Sequence, residues 1–322
     1  MKFGYLALFV LLLHLELSAI EPVTAAANYS EDYYEDTCPD VVDIINQKVD
    51  AWIEKDFTLA ASLIRLQFHD CAVRGCDGSI LLNSTASERT TSVSSTLRGF
   101  QVIDEIKAAL EESCPRTVSC ADILVGAARE ASLFIEGPFW PVPFGLKDGT
   151  VSIDTEAEKV PHGHENVTTL INFFKSKGLD MQDLITLSGA HTIRRASCST
   201  FINRVNNFNG TGKPDPSLDA TYMNMLKKRC SRSTDLVNLD VTTPRTFDTV
   251  YYKNLQTKKG LLTTDQELYM DPRTAPLVNT MVSSQPGTFE ELFSDAMVKL
   301  GNIGVLTGNE GEVPVNCNLV NS

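Results

Sequence analysis

The chain has 322 residues, 43% of them hydrophobic, with 28 basic against 41 acidic side chains and a formal net charge of −13. That apolar content supports a sizeable core and excludes a disordered chain, while the length allows one large domain or two halves around a shared core. The acidic balance, with a pI near 4.9, excludes a general nucleic-acid binder, which needs basic stripes.

Lys2 precedes an apolar run from Leu6 to Leu13, and small residues follow from Ala19 to Ala27. This is the order of a signal peptide, read as residues 1–27. The run falls short of the about 20 residues that cross a bilayer, and no later run is longer and uncharged, so a secreted protein without a membrane span is expected. Val41, Ile44, Ile45, Val49, Trp52 and Ile53 then recur at helical spacing. Ala60–Phe68, Phe100–Leu110 and Ala121–Phe134 repeat the habit, and Phe289, Leu292, Phe293, Ala296, Met297 and Leu300 form a last apolar stripe. Stretches rich in Gly, Pro, Asn and Asp separate them at 71–79, 136–150 and 206–217. The expectation is an all-α unit of two helical lobes, with its sites on the loops.

Eight cysteines, an even count in an oxidising compartment, suggest four disulfides, and spacing alone leaves 105 pairings open. No Cys-x-x-Cys or clustered Cys/His pair supports zinc. Asn28, Asn83, Asn166 and Asn209 each head an Asn-x-Ser/Thr sequon, the acceptor for glycosylation in a secreted chain.

Two segments carry chemistry. In Arg65-Leu66-Gln67-Phe68-His69-Asp70-Cys71, Arg65 and His69 are four apart and share one helical face. A neutral imidazole there can move a proton between the two oxygens of a peroxide while the guanidinium stabilises the developing negative charge, and Arg helps keep His neutral. For a lone Arg-x-x-x-His, a surface Arg beside a core His is the commoner reading. The continuation Asp70-Cys71-x-Val73-x-Gly75-Cys76-Asp77-Gly78-Ser79 offers acids, a hydroxyl and carbonyls within ten residues, enough to wrap calcium, although by itself it also reads as an acidic turn. Downstream, Leu184, Leu187, Ser188 and His191 fall on one helical face, so His191 reads either as a core histidine or as a ligand.

Taken together, Arg-x-x-Phe-His-Asp-Cys-x-Val-x-Gly-Cys-Asp-x-Ser and Leu187-Ser-Gly-Ala-His-Thr192 resemble the two haem-facing segments of the plant secretory (class III) haem peroxidases. The resemblance runs from Tyr34-Glu-Asp-Thr-Cys-Pro39 to Cys317, through Leu97-Arg-Gly-Phe100, Val118-Ser-Cys-Ala-Asp122 and Phe247-Asp-x-x-Tyr-Tyr252. It implies two lobes sandwiching haem b: a distal lobe of about 28–165 plus the C-terminal helix, and a proximal lobe of about 166–285. His69 and Arg65 would be catalytic, His191 the iron ligand with Asp265 behind it, and Phe68 would touch the cofactor. Asp70, Val73, Gly75, Asp77 and Ser79 would hold one calcium ion, supported by Glu88. Thr192, Asp240, Thr243, Thr246 and Asp248 would hold a second. Pro161 would edge the donor channel. The implied pairing is Cys38–Cys114, Cys71–Cys76, Cys120–Cys317 and Cys198–Cys230. Hydrogen peroxide and small phenolic donors would be the substrates of a monomer located in the cell wall or extracellular space, with the vacuole as the alternative.

Four positions depart from the family pattern. The stretch between Glu88 and Arg98 holds no Asn to accept a hydrogen bond from His69, and Val93 or Ser94 stands in that region. Arg194 replaces a glycine, which would strain the chain if that glycine had positive φ. Leu239 replaces a common aromatic, and Ala72 a Phe. His162 and His164 suggest a metal pair less than a solvent-facing loop. Two other readings compete: a haem-poor, calcium-binding structural protein of the same fold, and a hydrolase using Ser188 near His191. The second lacks a Gly-x-Ser-x-Gly elbow and sets its serine within a helical run.

Overall fold

The computed structural model describes residues 29–321; the signal-peptide reading and Asn28 lie outside the described residues. Among them are thirteen α-helices: α1 (Val41–Lys55), α2 (Leu59–Val73), α3 (Phe100–Ser113), α4 (Cys120–Phe134), α5 (Asp154–Ala157), α6 (Val167–Ser176), α7 (Met181–Ser188), α8 (Cys198–Asn206), α9 (Ala220–Arg229), α10 (Val250–Gln256), α11 (Thr263–Met270), α12 (Ala275–Ser283) and α13 (Thr288–Gly301). The fold is all-α as expected, and each of the five periodic stretches is a helix. None is long and apolar enough to cross a membrane.

Helix ends follow their local chemistry. At the start of α4 the Ser119 hydroxyl accepts from Asp122 N, and the buried Asp148 carboxylate accepts from Cys120 N and Ala121 N at 2.7 and 2.6 Å. That satisfies three N–H groups an N-terminus leaves open. Asp180 and Asp183 form a reciprocal capping box on α7.

The helix α2 runs through the interior against α4 and α13. Eleven of its 15 residues are buried, polar Gln67, His69 and Asp70 among them, so it can hold an imidazole away from bulk water. One large apolar core joins α1–α4 to α6, α7 and α10–α13. Its fully buried Trp140, Tyr251, Tyr252, Phe289 and Phe293 are each worth roughly 1.5–3 kcal/mol in burial. A smaller core lies under α8 and α9 and includes Leu239, Leu261 and Leu262.

Two small antiparallel ribbons were absent from the sequence expectation. Strand β1 (Leu146–Lys147) pairs with β4 (Leu306–Thr307), and β2 (Arg195–Ser197) pairs with β3 (Leu236–Asn238). Strands of two or three residues are too short to leave an alternating pattern. The four disulfides join the expected partners, closing separations of 76, 5, 197 and 32 residues.

One element differs at the second motif. The α-helical face read through His191 stops at Ser188, and Gly189–Ile193 is a 3₁₀ turn. The cause lies in a distant hydroxyl. Tyr252 Oη donates to Ile185 O at 2.9 Å, the carbonyl an α-helix would offer to Gly189 N–H. Gly189 N–H instead bonds Thr186 O, which tightens the turn. Residue 189 must also be glycine, because a Cβ there would collide with Tyr252 Oη and the Phe289 ring.

Candidate active site

Arg65 and His69 project from one face of α2, and Arg65 Nε donates to His69 Nε2 at 3.2 Å. The remaining guanidinium nitrogens are fixed by Thr96 Oγ1 at 2.8 Å and Val93 O at 3.0 Å. With its Nε2 accepting, His69 carries its lone pair there and its proton on Nδ1. Burial, and then the charges of Arg65 and Arg194, hold the imidazole well below the usual histidine pKa. It is therefore a neutral base at neutral pH. Phe68 lies edge-on to it, with ring centroids 6.0 Å apart.

No hydrogen bond reaches His69 Nδ1 among the described residues. Val93, in the region of the missing Asn, gives its carbonyl to Arg65 and packs its side chain with Ala72 and Val160. Two of the four departures thus meet in one apolar cluster. The neighbouring Ser94 hydroxyl is buried and bonded to nothing.

On the opposite side His191 Nδ1 donates to Asp265 Oδ1 at 2.7 Å, leaving Nε2 as the free ring nitrogen. Asp265 is 1% exposed and also accepts from Tyr251 Oη at 2.9 Å and Leu262 N at 2.8 Å. Burial alone would raise its pKa; His191 and these donors outweigh it, so the carboxylate stays ionised. Tyr251, to which the sequence reading gave no role, is a buried phenol whose pKa is pushed well up by burial and Asp265, so its hydroxyl remains a donor.

Between the two histidines lies a cavity of about 620 Å³, lined by Arg65, Phe68, His69, Phe174, Leu184, Leu187, His191, Leu239 and Leu262 among others. That is within the roughly 300–1,000 Å³ of cofactor sites. Pro161 and the Pro161–His164 loop also line it. His162 Nε2 sits 3.1 Å from Glu158 O, and the Glu165 carboxylate accepts from the N–H groups of residues 162–164. Arg194 enters the same cavity. Its backbone is extended, with φ −106° and ψ 161°, so the strain expected from losing a glycine is absent. Burial pulls its pKa down to about 10, against the attraction of Asp265.

The first calcium sequence folds into a tight loop. Gly75 has φ +128°, and a Cβ there would meet Gly304 O at 2.5 Å. Asp70 accepts from Gly78 N and Ile80 N, and Asp77 from Ser79 N. Val73 O accepts from Lys177 Nζ at 2.7 Å, which leaves it one lone pair. The Ser79 hydroxyl and both Glu88 carboxylate oxygens are buried without a partner. Burial and Asp77 push Glu88 up to about 7, and Asp70 and Asp77 are also raised, burial leading in each. Unpaired buried oxygens among crowded carboxylates fit a cation.

The second set converges more tightly. Thr192 Oγ1 lies 3.5 Å from Asp240 Oδ2, 3.1 Å from Thr246 O and 3.3 Å from Asp248 Oδ1. Thr243 Oγ1 approaches Asp240 Oδ2 and Asp248 Oδ1 at 3.3 and 3.1 Å. All five expected residues meet at one point. No three His, Cys, Asp or Glu side chains converge as a metal set among the described residues; the mixture of carboxylate, hydroxyl and carbonyl oxygen suits a hard cation such as calcium. Of the sequons, Asn83, Asn166 and Asn209 are exposed, and Asn166 caps α6 through its Oδ1.

A guanidinium–imidazole pair thus faces an imidazole–carboxylate pair across one cavity. A peroxidase family model matches residues 45–284. The chain is 48% identical over 295 residues to Peroxidase 7 of Arabidopsis thaliana, covering 91% of this chain and 84% of that protein. It is 41% identical over 333 residues to Peroxidase C2 of Armoracia rusticana (100% and 93%) and 46% identical over 306 residues to Peroxidase 22 of Arabidopsis thaliana (92% and 87%). The chain belongs to the peroxidase family, in its plant class III group, and is an oxidoreductase that uses peroxide. The family's haem cofactor fits here, because a half-buried imidazole with one free nitrogen faces a cavity of suitable size.

Proposed function

We propose that this chain is a secreted haem b peroxidase that reduces hydrogen peroxide and oxidises small phenolic donors of the cell-wall type in one-electron steps. The observation that carries the reading is the opposition of Arg65–His69 and His191–Asp265 across the cavity. In it a signal peptide (1–27) precedes one haem peroxidase domain (28–322). The distal lobe, about 28–165 with the C-terminal helix, faces the proximal lobe, about 166–285. Bound haem supplies the redox centre that takes up the oxidising equivalents of peroxide.

The protein's own residues do the rest. His69 Nε2 takes the proton of the incoming peroxide and returns it to the leaving oxygen. The Arg65 guanidinium, which gives up its Nε–H bond to His69 as that nitrogen turns to the peroxide, stabilises the negative charge on that oxygen while Val93 and Thr96 hold it in place. His191 would hold the iron through Nε2, and Asp265 makes that nitrogen a stronger donor. Phe68 would pack on the macrocycle, and Pro161 would border the donor entrance. One calcium ion would bind Asp70, Val73, Gly75, Asp77 and Ser79, supported by Glu88, and a second Thr192, Asp240, Thr243, Thr246 and Asp248. A monomer in the extracellular space fits the four disulfides.

The test is stopped-flow absorbance of the haem-loaded, calcium-loaded protein mixed with one equivalent of peroxide. A rapid loss of Soret intensity, restored in two steps by a phenol, is expected. The open Nδ1 of His69 favours a second reading, a slow protein of the same fold. A normal ferric spectrum that peroxide barely changes would establish that reading instead.

A further inference from the structure

We propose that Arg194 is a carboxylate-binding residue of the cavity. Its main chain is pinned, since Arg194 O accepts from Leu239 N at 2.8 Å beside the β2–β3 ribbon, and its half-buried side chain lines the cavity. Among the described residues its guanidinium makes no hydrogen bond or ion pair. The other arginines there differ. Arg65 is held by Val93 and Thr96, Arg98 pairs with Asp56 at 2.5 Å, and Arg195 is exposed to water.

The charge balance of the cavity points the same way. Four arginines line it; Asp56 neutralises Arg98, and the one lining carboxylate, Asp265, is committed to His191, Tyr251 and Leu262. This excess of positive charge stands inside a chain of net charge −13. A half-buried cation with five N–H donors and no protein partner among the described residues is open to an acceptor, and a carboxylate matches its planar fork. Two sources bring that group to this cavity: a carboxylate side arm of the haem, or a carboxylate on a phenolic donor. The first rests on the haem reading above.

The protein is loaded with haem or with haem dimethyl ester, and the rate of pigment loss to excess apomyoglobin is measured for wild type, Arg194→Gln and Arg194→Lys. If the haem supplies the carboxylate, Arg194→Gln loses the free-acid haem roughly tenfold faster, the worth of one charge-assisted hydrogen bond. The ester is then lost at the wild-type rate, and Arg194→Lys recovers much of the difference. If the donor supplies it, both pigments leave all three proteins at equal rates. The KM of a carboxylate-bearing phenol then rises about tenfold in Arg194→Gln, while that of its methyl ester does not. Unchanged pigment loss together with unchanged donor preference overturns the inference alone. Failure of the wild-type chain to take up either pigment overturns the haem reading and this inference with it.

Discussion

Replacing Asp265 by Asn should raise the reduction potential of the haem iron. The carboxylate now receives the His191 Nδ1–H at 2.7 Å, with Tyr251 Oη at 2.9 Å and Leu262 N at 2.8 Å as further donors. Asn keeps the shape and removes the charge, so the ring loses a charge-assisted bond worth about 1.5–3 kcal/mol. Tenfold in an equilibrium is about 1.4 kcal/mol, or about 59 mV for one electron. If the whole bond energy is expressed in the ferric state, the midpoint moves up by roughly 65–130 mV. Tyr251→Phe should move it the other way, because Asp265 Oδ1 then serves His191 alone. Spectroelectrochemical titration of both variants reads the two shifts, with circular dichroism confirming that each is folded. A folded, haem-loaded Asp265→Asn protein within about 20 mV of wild type would refute the argument, since the smallest shift derived from is three times that.

His69→Leu should slow the peroxide reaction by at least roughly 10²–10⁴-fold, the usual share of general acid–base catalysis; a near-normal stopped-flow rate removes His69 from the mechanism. Because burial and two arginines depress the His69 pKa well below 6.5, the neutral base persists as pH falls, so the bimolecular rate should stay flat through pH 6.5 and decline only below it. Arg194→Gln removes one repelling cation and should move that decline to higher pH; an inflection at or above 6.5 in wild type contradicts the account. Chelating both calcium ions should lower Tm by roughly 9 °C, from about 2.7 kcal/mol of linkage per site at a hundredfold excess over Kd. Asp240→Ala should cut bound calcium, measured by elemental analysis, from two equivalents to one. Ser94→Asn offers a longer acceptor in the region of His69 Nδ1 and should speed the peroxide step; an unchanged or slower rate would mean that His69 is already well oriented.

What could be read along the chain was what repeats locally. The five periodic stretches became helices, and the four-residue spacing of Arg65 and His69 became a hydrogen-bonded pair on α2. The convergence of Thr192 with Asp240 and Asp248 spans up to 56 residues; it was reached through the family resemblance, not through spacing, and so was the disulfide pairing. The features that escaped depend on distant partners. The 3₁₀ turn under His191 is set by a tyrosine 67 residues away. Arg194 is unstrained because a ribbon strand, itself too short to signal, holds it extended. Ala72 and Val93 each looked like an isolated loss until packing placed them against each other.

The tightened turn at Gly189 has a consequence for how the proximal imidazole is aimed. A 3₁₀ helix advances about 120° and 2.0 Å per residue where an α-helix advances about 100° and 1.5 Å. Over the three residues from Gly189 to His191 the difference accumulates to roughly 60° of rotation and ~1.5 Å of reach. Tyr252 never approaches the reacting atoms, yet its single hydroxyl works as the sight by which the ring is trained on its target. The direction of the His191 ring, the proposed iron ligand, is in that sense stored in a helix, α10, that contributes no atom to the cavity.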